Sequence, residues 1–181
     1  MWSDGGRDGC SLFWAVLREL FANPADRLGE VTRSLTEFGD FECPYCGKAY
    51  PTIKRLRERL GDRVVFEFRH FPVSDKHPHA ERAAEAAEAA RAQGRFEAMH
   101  DQLFEHQKAL EDEDLAAYAE AIGLDMERFH ADMATRVHLP AILADCAAGE
   151  ALGITGTPGF AIDGKRYTGF YDLDALLDEL E

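Results

Sequence analysis

Two cysteines three positions apart, in Cys43-Pro44-Tyr45-Cys46, constrain this 181-residue chain more than any other stretch. Apolar residues lead into them. A helical pattern follows, with Tyr50, Ile53, Leu56 and Leu60 recurring up to a Gly61-Asp62 stop. Redox chemistry at such a pair needs one sulfur that ionises easily, because the thiolate is the nucleophile and an ordinary cysteine is mostly protonated at neutral pH. Pro44 suits the first helical position, where its missing N–H costs nothing. The helix N-terminus then offers unpaired N–H groups and partial positive charge to the Cys43 sulfur. Cys46 falls one turn further in, on the same face. Cys43 therefore reads as the nucleophile and Cys46 as the thiol that resolves a mixed disulfide. Tyr45 brings no charge to help the thiolate. The competing reading is half of a zinc site, completed by histidines such as His77 and His79. Pro44 fits a helix start better than a zinc knuckle, and no metal is expected.

The rest of the chain reads as β–α–β, a helical block, then β–β–α. A strand is expected over Val31–Phe38, with Arg33, Ser34 and Thr36 interrupting its apolar pattern, and another over Val64–Phe71. Residues 78–153 carry helical periodicity and no strand signal. Ala83, Ala84, Ala87 and Ala90 form a small-residue face there, with Glu81, Glu85 and Glu88 on other faces. Asp112 or Asp114 is expected to cap a later helix, and Cys146 lies on the fifth helix of the block, among alanines. Strand signals return at Phe160-Ala161-Ile162. Asp163-Gly164 is a two-residue hairpin turn, and Asp172 caps a last helix. The two halves must share a sheet, since a lone hairpin is not stable. These features divide the chain into an N-terminal extension over 1–30, a first half over 31–77, the helical insertion over 78–153 and a second half over 154–181.

Four cysteines, Cys10, Cys43, Cys46 and Cys146, are too few for a disulfide scaffold in a chain this long. The formal net charge of −14 argues against nucleic acid as a partner. No apolar run is long enough to span a bilayer. Near the start, Asp4 and Asp8 spoil a basic leader, and Leu12–Phe21 reads as one amphipathic helix. As written, the chain is expected in the cytoplasm; a different start site would leave room for an exported form. His70, His77, His79 and His100 lack the spacing of a metal site and are expected at a strand end, in loops or on a helix surface.

Gly156-Thr157-Pro158 stands just before the third strand. A cis bond at Pro158 would turn the Thr157 backbone outward as an edge for an extended peptide. A trans proline opening a strand is the alternative. Phe38-Gly39-Asp40-Phe41-Glu42-Cys43-Pro44-Tyr45-Cys46, the later Arg69-His70-Phe71-Pro72, and Gly156-Thr157-Pro158 together resemble the DsbA-like family of thioredoxin-fold thiol–disulfide oxidoreductases. The resemblance covers residues 31–181. It implies an α/β thioredoxin fold with an inserted all-helical subdomain, and a cis Thr157-Pro158 bond facing Cys43. Pro44, Tyr45, Thr157 and Pro158 would then contact the substrate. It further implies Glu37 as a buried carboxylate relaying protons for Cys46, with a raised pKa suited to that work; an exposed strand residue is the other reading of Glu37. Pro-Tyr stands between the cysteines, where the strongly oxidising DsbA proteins carry Pro-His. The disulfide should therefore be milder, with a potential between about −120 mV and −230 mV. Gly159 after the proline and the polar first strand also depart from the family pattern.

The expected activity is thiol–disulfide exchange on protein or peptide substrates, without a cofactor and with a separate redox partner. In a reducing compartment it would run as a reductase, and in an exported form as an oxidase or isomerase. A glutathione-linked activity would need a basic and polar groove, which the sequence does not display. An adaptor that binds peptides or zinc without turnover is the alternative from another class.

Overall fold

The computed structural model of the chain describes residues 33–181. Cys10 and the helix expected over Leu12–Phe21 lie outside them. Within them a four-stranded sheet runs in the order β2-β1-β3-β4. Strand β1 (Arg33–Gly39) pairs in parallel with β2 (Val64–His70) and antiparallel with β3 (Gly159–Ile162), which pairs antiparallel with β4 (Lys165–Tyr167). The polar residues of β1 do not interrupt it. Arg33, Ser34 and Thr36 sit at its half-buried positions, and Leu35, Glu37, Phe38 and Gly39 are buried. The turn between β3 and β4 takes positive φ at both Asp163 (49°) and Gly164 (73°), as the twist of a tight hairpin requires. The Asp163 carboxylate accepts the Ser34 N–H at 2.9 Å and the Arg33 Nε–H at 2.6 Å, tying the hairpin to the start of β1.

Successive strand side chains point to opposite faces, and this parity sorts the core. Leu35, Phe160 and Ile162 pack with Ile53 and Leu56 of α1 (Pro44–Leu60) and with Leu176, Leu177 and Leu180 of α7 (Leu173–Leu180). On the opposite face, Phe38 and Ala161 meet Ile154, with Ala148 of α6 (Leu139–Ala151) packed alongside. Leu35→Ala would leave a cavity at a fully buried position. It should cost about 2–5 kcal/mol, read as a lower midpoint in urea unfolding.

The helical block comprises α2 (Ala80–Arg91), α3 (Phe96–Glu105), α4 (Asp112–Ala121), α5 (Met126–Thr135) and α6. Alanine lines most of α2, and Ala80, Ala83, Ala84, Ala86, Ala87, Ala89 and Ala90 are all buried. Small side chains let α3, α5 and α4 approach α2 closely. Glu85, away from the small-residue face, is 1 % exposed, and Arg82 and Arg136 both donate to its carboxylate, at 3.2 Å and 2.6 Å. One expectation is corrected by the structure: His100 is not on a helix surface. It lies buried among Phe41, Phe68, Phe96 and Phe104, with neither ring nitrogen hydrogen-bonded. The cap of α4 is Glu111, one residue before Asp112 and three before Asp114, with which it forms a reciprocal capping box. Asp172 caps α7 as its position predicts, accepting the Ala175 N–H. Among the described residues, no helix is long and apolar enough to cross a membrane.

Candidate active site

Strand β1 ends at Gly39, and the chain turns through Asp40-Phe41-Glu42 into α1. Cys43 is the N-cap of that helix and Pro44 its first residue. The turn is held by one carboxylate. Asp40 is 2 % exposed. It accepts the N–H groups of Glu42 (2.8 Å), Cys43 (3.2 Å) and Val73 (2.9 Å), and its Oδ2 lies 2.7 Å from His77 Nδ1. Glu42 binds His79 in a similar way, with Nδ1 at 2.9 Å and the backbone N–H at 2.7 Å. The two histidines of the zinc reading thus direct Nδ1 to carboxylates beside the cysteines. Among the described residues no group of three or more His, Cys, Asp or Glu side chains is arranged to hold a metal.

Cys43 and Cys46 are both buried, at 3 % and 0 % exposure, while Pro44 and Tyr45 between them are exposed. From the far end of the chain, the loop before β3 brings Thr157 to the pair: the Cys43 thiol donates to the Thr157 carbonyl oxygen at 3.4 Å. The Thr157–Pro158 peptide is cis, and both residues are partly exposed. Contact with the Cys46 thiol, with further help from the Thr157 side chain and the N–H groups of residues 45 and 46, holds the Cys43 thiol down at about 5 against the opposing effect of burial. Cys46 is pushed far above the ordinary thiol range, first by burial and then by its neighbours Cys43 and Glu37. The two sulfurs are therefore strongly unequal.

Parity places Glu37 on the same face of β1 as Leu35, beneath α1. It is buried, at 2 % exposure, and burial raises its carboxyl to about 8, opposed by the Arg57 guanidinium. It lines a cavity of about 450 Å³ together with Ile53, Arg57, Phe66, His100 and Phe104. Arg57 is held there by Glu97 at 2.8 Å and lies over the Phe66 ring.

The structure thus brings together Glu37, Cys43, Pro44, Tyr45, Cys46, Thr157 and Pro158. Cys146 lies apart. It is half-buried on α6, its thiol 3.8 Å from the His70 carbonyl oxygen, and burial pushes it up to about 11. Two residues at the site are not singled out by sequence reasoning. Asp40 lies within the run that carries the resemblance, and an aspartate three positions before a helix-capping cysteine is a readable turn signal. Gln107 follows α3, and its side-chain amide donates to the carbonyl oxygens of Phe41 and Cys43. Nothing in the local pattern marks it.

The family model described as Thioredoxin matches residues 30–180. The thioredoxin-like oxidoreductase from Silicibacter pomeroyi DSS-3 is 30 % identical, with a TM-score of 0.72 over 82 % of this chain and 84 % of that one. The oxidoreductase DsbA from Xylella fastidiosa shares the fold at 19 % identity, with a TM-score of 0.68 over 81 % of each chain. Closer in sequence is a segment of the Na(+)/H(+) antiporter NhaA 1 of Salinispora arenicola (strain CNS-205), 44 % identical over 147 residues. That match takes in 81 % of this chain but 22 % of the antiporter, so the chain spans about a fifth of that relative's length. With the family model covering the described sheet, both cysteines and the helical block, the chain belongs to the thioredoxin family.

Proposed function

We propose that the chain catalyses thiol–disulfide exchange on protein or peptide substrates through Cys43 and Cys46. One observation carries this reading: the Cys43 thiol stands at a helix N-cap, 3.4 Å from the Thr157 carbonyl oxygen, with a second, fully buried thiol one turn behind it. In the reducing direction, the Cys43 thiolate attacks a substrate disulfide. A Cys43–substrate S–S bond forms, the substrate's own S–S bond breaks, and one substrate thiolate leaves. Cys46 then gives its proton to the Glu37 carboxylate and attacks the Cys43 sulfur. The mixed disulfide breaks, the second substrate thiolate leaves, and two electrons have passed from the protein to the substrate. The oxidising direction runs these steps backwards. Pro44, Tyr45, Thr157 and Pro158 form the partly open surface over which an extended substrate lies, and the Thr157 backbone offers the pairing edge.

Equilibration with glutathione buffers, with free thiols counted by mass, tests this reading. A single two-electron transition that joins Cys43 to Cys46 is expected, at a potential between about −120 mV and −230 mV. A chain that forms no bond between these two sulfurs at any poise is not this enzyme.

The match to an antiporter segment favours a more specific reading, in which this redox module works in the company of a cation–proton antiporter. Thiol trapping in membranes that hold both proteins should then capture the antiporter on Cys43. Recovery of soluble proteins alone would argue against it.

A further inference from the structure

Where the helical block meets the active-site turn, one side chain makes an unusual pair of bonds. Gln107 lies in the turn after α3, sixty-odd residues from the cysteines, and is half-buried. Its Nε2 donates one hydrogen to the Phe41 carbonyl oxygen (2.8 Å) and the other to the Cys43 carbonyl oxygen (2.9 Å). The same Cys43 carbonyl accepts the Gly47 N–H at 3.1 Å, the bond that opens the ladder of α1. Gly47 leaves room for this arrangement. A Cβ at position 47 would overlap Gln107 Oε1 and lie 2.7 Å from its Cδ.

We propose that Gln107 is a positioning residue for the thiol chemistry: its amide pins the two carbonyls on either side of the entry to α1, so that the helical block sets the reactivity of Cys43. The inference rests on the exchange reading given above. Its physical basis is local. The two carbonyl dipoles of the turn that carries Cys43 are each met by one N–H donor. The same bonds hold the turn that aims the N–H groups of Tyr45 and Cys46 at that sulfur. The titratable groups around Cys43 are Cys46 on α1 and Asp40 and Glu42 in the turn, backed by His77 and His79; Thr157 faces it from the β3 side without charge. Gln107 touches none of these, so its removal changes dipoles and turn geometry while leaving their charges in place.

The test is the rate of Cys43 alkylation against pH in the reduced protein, with thermal unfolding as a control for folding. Gln107→Ala should raise the Cys43 midpoint by at least about half a pH unit, the size of one lost hydrogen bond. Gln107→Glu should raise it further, because a carboxylate has no hydrogen to give these carbonyls and adds negative charge. Gly47→Ala evicts the glutamine and should reproduce the shift of Gln107→Ala. In the double variant the two shifts should not add. The new methyl then fills the space the glutamine vacated, and helix propensity favours alanine over glycine, so the double variant should melt above Gln107→Ala. A folded Gln107→Ala protein with an unchanged midpoint overturns the proposal. So do additive shifts from positions 47 and 107. A wild-type Cys43 that titrates as an ordinary thiol would remove the exchange reading itself, and this inference with it.

Discussion

Cys46→Ser is expected to stop exchange halfway, with the substrate held on Cys43 as a mixed disulfide. Cys43 sits at the helix N-cap with exposed Pro44 and Tyr45 beside it, and its thiol pKa is lowered to about 5. The first step should therefore proceed with serine at position 46. The second step needs a sulfur at that position, and a serine hydroxyl cannot form a disulfide. A disulfide-bonded peptide added to the reduced variant should yield a covalent adduct by mass, one peptide per protein, that is released by dithiothreitol. Cys43→Ser should form no adduct and lose exchange altogether, because the remaining thiol is fully buried and held far above its ordinary range. Adducts on Cys46, or exchange that survives without Cys43, would contradict the assignment of roles. An adaptor that binds without turnover would keep its peptide affinity in both variants and form no adduct.

Glu37→Gln should change both the second step and the dependence of stability on pH. The Glu37 carboxyl, raised from about 4.5 to about 8 by burial, is mostly neutral at pH 7. It can then donate a proton when Cys46 leaves, and its ionised fraction accepts one when Cys46 attacks. Wild-type resolution should speed up as pH rises through about 8. The glutamine variant should lose that inflection and run about a hundredfold slower at pH 8, the usual scale of a lost general base. Linkage gives the sign of the stability effect. Between the unfolded value near 4.5 and the folded value near 8, the unfolded chain has released the proton and the native state has kept it. Native stability is therefore full below about 4.5 and is lost as pH rises to about 8, with a slope on the order of 1 kcal/mol per pH unit. Glu37→Gln removes that slope. It should be more stable than wild type at pH 8 by a few kcal/mol and show little difference near pH 4, as read by urea unfolding at the two pH values. A variant less stable than wild type at pH 8 would contradict a buried, neutral Glu37.

Much of this molecule is legible in its sequence because the decisive signals are local. Cys43 with Pro44 marks a helix start, Asp163-Gly164 a hairpin and Asp172 a cap, and each depends on a few adjacent residues. The depth of Glu37 sits at the edge of what the sequence alone decides. Two-residue parity with Leu35 points it inward, but only the cover provided by α1 closes the site. Where contacts are distant, sequence reading fails for a physical reason. Glu85 is placed by its spacing only on a face other than the alanine one, and the burial it has depends on Arg136, which reaches it from the end of α5, 51 positions away. His100 looks like a polar helix residue until aromatic rings from β2, α3 and the active-site turn close around it. Gln107 carries no mark at all, since its partners are backbone carbonyls that any sequence would supply.

Strand β4, at one edge of the sheet, has a consequence for how copies of this protein behave in a crowded solution. It is three residues long, with Lys165 and Arg166 exposed. So brief and cationic a border offers a neighbouring chain little backbone to zip onto, and like charges would face one another if two copies met there. Runaway stacking along that side of the sheet is thereby discouraged.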